Sequence, residues 1–201
     1  MTWRRVFGRG VFPYAASWLL DLRWRNWLLA PAALVARLPL ASARHALEVG
    51  AGSGFYSAAV ARSAPRGSLT LLDLQPEMLQ KARQKMPPRS LVLVHCAAAD
   101  ARFLPFRDGA FDLVFLVTVL GEIPDPPAFL REAHRVLTDN GVLTVGEHLP
   151  DPDFITASRL ALLAASNGFE PVETHGRWWS YTVTFRKRPR TAESDDGKGR
   201  P

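Results

Sequence analysis

The chain has 201 residues and 47% apolar content, enough for one domain with a real core. Its single cysteine, Cys96, excludes an internal disulfide and a cysteine-based metal cluster. No run reaches the ~18 apolar residues that a membrane-crossing helix needs. The formal net charge is +6, and residues 1–37 hold six arginines against Asp21 alone, so most of the excess lies at the N-terminus.

Residues 14–30 read as a helix, because Leu19, Leu20, Leu22, Trp24, Trp27 and Leu28 recur at helical spacing. Pro31 opens a second short helix to about Leu38, and Pro39 ends it. "TWRRVFG" at 2–8 faintly resembles a twin-arginine export signal, but Asp21, Arg23 and Arg25 interrupt any apolar signal core. Strand and helix then alternate. "HALEVGA" is a strand and 54–63 a helix; "SLTLLDL" at 68–74 is a strand and 76–86 a helix. "SLVLVHC" at 90–96 and "FDLVFLVTV" at 111–119 are strands separated by a loop with Pro105. Pro126 to Leu137 is a helix with Asp125 as N-cap. Asn140-Gly141 predicts a turn before the strand "VLTVGEH". A helix over 154–167 ends at Gly168, and strands near "FEPVETHG" and "WWSYTVTFRK" follow. Near-continuous Val/Leu strands between helices indicate a parallel sheet buried on both faces. Three segments result: a helical arm over 1–43, an α/β domain over 44–190, and a polar tail over 191–201 expected to be disordered. Cys96 is expected to be buried, and His134 to face solvent.

The informative stretch is "HALEVGAGSGFYS" at 45–57. Gly50, Gly52 and Gly54 follow a strand at alternate positions, where backbone turns tightly or lets a ligand approach. The dinucleotide fingerprint wants its third glycine at 55, which is Phe, and no Lys-Ser/Thr pair makes this a phosphate-cradling loop. In an open parallel sheet, ligands bind beyond the carboxyl ends of the strands. Asp73 ends the second strand and can accept both hydroxyls of a ribose. Asp100 follows the third strand and can accept from an adenine amino group. Together they describe a pocket for an adenosine with a short polar appendage.

These residues resemble the class I S-adenosylmethionine-dependent methyltransferases. The matching segments are "ALEVGAGSG", "LTLLDLQPEML", "AAADARFLPFRDGAFDLVF" and "EAHRVLTDNGVLTVGEH", all within 45–150. The resemblance implies a doubly wound, Rossmann-like, seven-stranded, mostly parallel sheet with its last strand antiparallel and helices on both faces. It implies S-adenosylmethionine as cofactor and no metal. Gly50, Gly52 and Gly54 would let backbone approach the methionine end, with Glu48 anchoring the loop. Asp73 would hold the ribose, Asp100 with Ala99 and Ala101 the adenine, and Val117 would line the inner side, with Leu74 also among the cofactor-binding residues. A sulfonium methyl is already activated, so positioning carries much of the catalysis and a base is needed only for a protonated nucleophile. Glu122 and His148, after the fourth and fifth strands, are the candidates for that base. Tyr14 and Tyr56 are candidates for a lid and a wall.

The expected activity is methyl transfer to a small-molecule or lipid-like acceptor, in the cytoplasm. Nucleic acid is not an expected partner: in "DPPAF" at 125–129 an alanine stands where base-methylating enzymes place an aromatic. A nicotinamide-dependent oxidoreductase and a non-catalytic cofactor-binding regulator are the alternatives. The arm mixes four tryptophans with arginines, as interfacial helices do. It is expected to cover the acceptor pocket or touch a membrane, and its arginines would favour an anionic acceptor or surface.

Overall fold

The computed structural model describes residues 29–63, 67–87 and 92–188. The expected helix over 14–30, apart from its last two residues, and the expected tail over 191–201 lie outside the described residues, as does Tyr14.

Seven strands form one sheet: β1 (His45–Val49), β2 (Gly67–Asp73), β3 (Val92–Ala98), β4 (Phe111–Val117), β5 (Leu137–His148), β6 (Phe169–Arg177) and β7 (Ser180–Lys187). Their order is β3-β2-β1-β4-β5-β7-β6. β1 runs parallel to β2 and β4, β2 to β3, and β4 to β5, whereas β7 runs antiparallel to both β5 and β6. The expected sheet is therefore present, with β7 as the antiparallel strand. Strand order reverses between β1 and β4, which places a crevice beyond Val49 and Val117.

Five described helices cover the sheet: α1 (Pro31–Arg37), α2 (Ser57–Ser63), α3 (Pro76–Gln84), α4 (Pro126–Val136) and α5 (Ala157–Ala165). Residues of α1, α2 and α3 pack with Leu69, Leu71, Leu113 and Phe115 on one face. Residues of α4 and α5 pack with Val114, Leu143, Phe169 and Phe185 on the other. Four successive residues of β4, Leu113 to Leu116, are buried, the mark of a strand covered on both sides. α4 begins as its sequence dictates: Asp125 Oδ1 accepts from the Ala128 N–H at 3.0 Å, and Pro126 opens the helix.

Asn140 and Gly141 fall within the span of β5, but Leu137 pairs with Phe111 and Val142 with Leu113, so residues 138–141 bow out of the ladder where the turn is expected. Two expectations are corrected. Cys96 is exposed rather than buried, because β3 is an edge strand with Leu93 also exposed. His134 is half-buried, its ring meeting that of Phe169 edge-on at 5.4 Å.

Candidate cofactor pocket

β1 ends in Val49, and the next residues turn under the constraint of three glycines in the left-handed region. Gly50 has φ +68°, Gly52 +53° and Gly54 +81°. Their surroundings differ. A Cβ on Gly50 would lie 2.4 Å from the Val119 side chain, so the loop after β4 fills that space. A Cβ on Gly54 would lie 2.7 Å from the backbone of Ala82 in α3. Gly54 is thus a packing glycine, set behind the pocket, while Gly50 and Gly52 line it.

The pocket is a cavity of about 200 Å³. Of the residues singled out from the sequence, Glu48, Gly50, Gly52, Asp73, Leu74, Ala99, Asp100, Ala101, Val117, Glu122 and Tyr56 line it. Gly54 and His148 do not; His148 is buried at the end of β5. Wall residues that carry no expectation from the sequence include Arg102, Thr118 and Val119. Thr118 has φ +54°, unusual for a residue with a branched Cβ. Its N–H donates to the Gly146 carbonyl at 2.8 Å, which holds the turn that sends Val119 toward Gly50. No periodicity or motif marks such a residue in advance.

Asp73 stitches two loops together. Its Oδ2 accepts from the Gly52 N–H at 2.8 Å, and its Oδ1 from the Gln75 N–H at 2.9 Å. Burial raises its pKa, and the N–H groups of Gln75, Gly52 and Leu74 oppose the rise. Asp100 is gripped by its neighbour: Arg102 Nη2 donates to Oδ2 at 2.6 Å, and the Arg102 N–H to Oδ1 at 2.9 Å. Those bonds hold its pKa below the ordinary value. Glu48 is 4% exposed, and its Oε2 makes no hydrogen bond. Burial pushes its pKa up to about 8; the Ser57 hydroxyl opposes that, and the Asp73 charge adds to it. Among the described residues lining the pocket, Arg102 is the one cation, and it is engaged by Asp100. The pocket can therefore take a polar, positively charged adenosine compound more readily than a diphosphate.

Comparison with known proteins agrees. The family described as "Methyltransferase domain" matches residues 47–145. A demethylmenaquinone methyltransferase of Tropheryma whipplei is 32% identical over 149 residues, which is 72% of this chain and 58% of that protein. A trans-aconitate 2-methyltransferase of Methylobacterium radiotolerans is 33% identical over 156 residues, 76% of this chain and 57% of that protein. The chain thus spans under three fifths of the length of either curated relative. The fold matches a crystal structure of an S-adenosylmethionine-dependent methyltransferase from Aquifex aeolicus with a TM-score of 0.78 and 21% identity, covering 87% of this chain and 98% of that one.

Proposed function

We propose that this chain, a member of the S-adenosylmethionine-dependent methyltransferase family through residues 47–145, moves that cofactor's methyl group to a small-molecule or lipid-like acceptor. The observation that carries the reading is the pocket where Gly52, Asp73 and the buried Glu48 meet. Its residues fit the cofactor. The orphaned Oε2 of Glu48 suits a ligand that brings a donor and a positive charge, and the carboxylate ending β2 suits vicinal hydroxyls. When bound, S-adenosylmethionine supplies a methyl carbon on a positively charged sulfur, ready for in-line attack.

The chain's own part is to bind, orient and shield. Gly52 permits close backbone approach, while Gly50 leaves room for Val119 in the wall. Asp73 accepts from hydroxyls while keeping the glycine loop in register. Ala99, Asp100 and Ala101 form the side that receives the base, with Leu74 and Val117 elsewhere on the wall. Glu122 lines the pocket and His148 does not, so Glu122 is the better-placed proton acceptor for an acceptor that arrives protonated. The relatives named for demethylmenaquinone and trans-aconitate support a small acceptor. The arm leads into Leu29, whose carbonyl accepts the hydroxyl of the pocket residue Tyr56 at 3.2 Å. An arm that joins at the pocket wall suits a cover for the acceptor, with contact to an anionic membrane as the competing role.

Calorimetry with S-adenosylmethionine, S-adenosylhomocysteine and NADH tests the cofactor, and a screen of acceptors with methyl-labelled cofactor tests transfer. Binding of both adenosyl compounds and labelling of one acceptor are expected. Tighter binding of NADH, or cofactor binding with no labelled product from any acceptor, would overturn the reading. A variant lacking residues 1–28 should keep cofactor binding and lose transfer; the cut stops before α1 because Leu34 is fully buried.

A further inference from the structure

Arg102 lines the pocket on the side given to the base, and the reading above assigns it nothing. The loop that carries it is tied at both ends. The Ala99 N–H donates to the Asp73 carbonyl at 3.1 Å, and the Leu104 N–H to Glu132 Oε2 at 2.8 Å. Between these ties the Phe103 N–H donates to the Asp100 carbonyl at 2.9 Å, closing a turn around Arg102. Arg102 also lines a surface groove with Phe103, Ala128 and Arg131, so it stands between that groove and the pocket.

Three donors of this one residue meet the Asp100 carboxylate. Nη2 donates to Oδ2 at 2.6 Å, and the backbone N–H to Oδ1 at 2.9 Å. Nε is shared between the two oxygens at 3.1 Å each. An ionised carboxylate offers about four acceptor positions, so about one stays open. The same bonds hold the Asp100 pKa below its ordinary value, which keeps the group an acceptor with no proton to give. The Phe103 ring steadies the guanidinium, whose carbon lies 5.7 Å from the ring centre. The Asp100 side chain is 32% exposed, so without this grip water and rotation would compete for its orientation.

We propose that Arg102 is the positioning residue for nucleobase selection: it fixes Asp100 so that the open acceptor position takes the amino group of a 6-aminopurine and rejects a 6-oxopurine. The proposal rests on the methyl-transfer reading and names how its pocket tells adenosyl from inosyl compounds. An oxo group brings lone pairs to a site that offers lone pairs, and neither side can then be satisfied. Each partner of the pair also silences the other. A protonated carboxyl could donate to an oxo group, and an unengaged guanidinium would attract one. Bound together, they leave only the acceptor.

The full chain is titrated by calorimetry with S-adenosylhomocysteine and with its 6-oxopurine counterpart, S-inosylhomocysteine. The wild type should bind the adenosyl compound about tenfold or more tightly. Arg102→Gln should cut that preference to about threefold or less, and Arg102→Lys should recover little, since an ammonium cannot make the same fork. Asp100→Asn, which gains an N–H donor and frees the guanidinium, should erase the preference or reverse it. The ratio compares two ligands on one protein, so a general loss of stability or affinity cancels from it. Equal binding of the two compounds by the wild type, or a wild-type ratio in Arg102→Gln, would overturn the proposal. If the Arg102 variants do not fold, a wild-type ratio in Asp100→Asn overturns it equally. Failure of the wild type to bind S-adenosylhomocysteine would sink the methyl-transfer reading and this inference with it, whereas intact binding with no purine preference sinks the inference alone.

Discussion

Asp73 has two tasks that a single substitution can separate. Asn at that position can keep an acceptor oxygen for one of the N–H groups of Gly52 and Gln75, whereas Ala releases both. Asp73→Asn should therefore weaken S-adenosylmethionine binding about tenfold while leaving stability near wild type. Asp73→Ala should lose binding and also about 1–2 kcal/mol of stability. Calorimetry paired with urea titration checks both; wild-type affinity in the alanine variant would remove the hydroxyl assignment. Asp73 and Gly52 were legible because glycine spacing and a strand-terminal acid are local signals. Glu147 was not. Its position inside "VLTVGEH" reads as one more strand residue, and only the folded chain shows that it is buried beside acids of the 118–125 and 149–156 segments.

At the level of elements, the segment after β3 is held by α4. Arg135 donates to Glu132 and Asp108 at 2.8 Å each, to the Phe106 carbonyl at 2.7 Å and to the Leu104 carbonyl at 3.0 Å. Glu132 in turn accepts from the Leu104 N–H at 2.8 Å. One guanidinium thus satisfies two backbone carbonyls that helix and sheet leave open. Its pKa is raised by those carboxylates. Arg135→Ala should cost about 2 kcal/mol, discounted for partial exposure. Arg135→Lys should recover little, since an ammonium cannot span the same set of acceptors. A urea midpoint for the alanine variant equal to that of wild type would show that the loop is held by packing alone. The sequence motifs "LPFRDGAF" and "EAHRVL" announced that these segments matter, but not that each anchors the other. The Asn140-Gly141 signal is of the opposite kind: turn propensity is local, and it falls where β5 leaves the β4 ladder between Leu137 and Val142, with pairing to β7 beginning at Val142.

For the molecule as a whole, two buried glutamates set the pH response. Glu48 and Glu147 are each raised from 4.5 to about 8 in the folded chain. The native state then holds more protons than the unfolded one across that window, so their contribution is fully present below pH 4.5 and is lost as pH rises through about 8. Glu132 and Asp100 act in the opposite direction, being lowered by Arg135 and Arg102, and their contribution is lost on acidification. Stability should therefore be greater at about pH 5.5 than at about pH 8.5, and Glu48→Gln should flatten the difference. Urea midpoints across that range decide it; a rise in stability toward pH 8.5 would contradict the burial of both groups. The alternation of strand and helix made the sheet readable from end to end, while pairing on the far side of β5 and the exposure of β3 followed from topology that periodicity does not encode.

The edge position of Cys96 has a practical consequence. It is the chain's one thiol, is exposed on β3, and lies opposite Leu71, two residues along β2 from Asp73. At about 3.3 Å per strand residue, a fluorophore coupled there stands roughly 7 Å along the sheet from the Asp73 carboxylate in the pocket wall. Burial raises the thiol's pKa, with the Arg83 charge opposing, so labelling is best done under mildly alkaline conditions. The native chain thus carries its own attachment point for an optical reporter of cofactor occupancy, with no residue exchanged and no second thiol to mask.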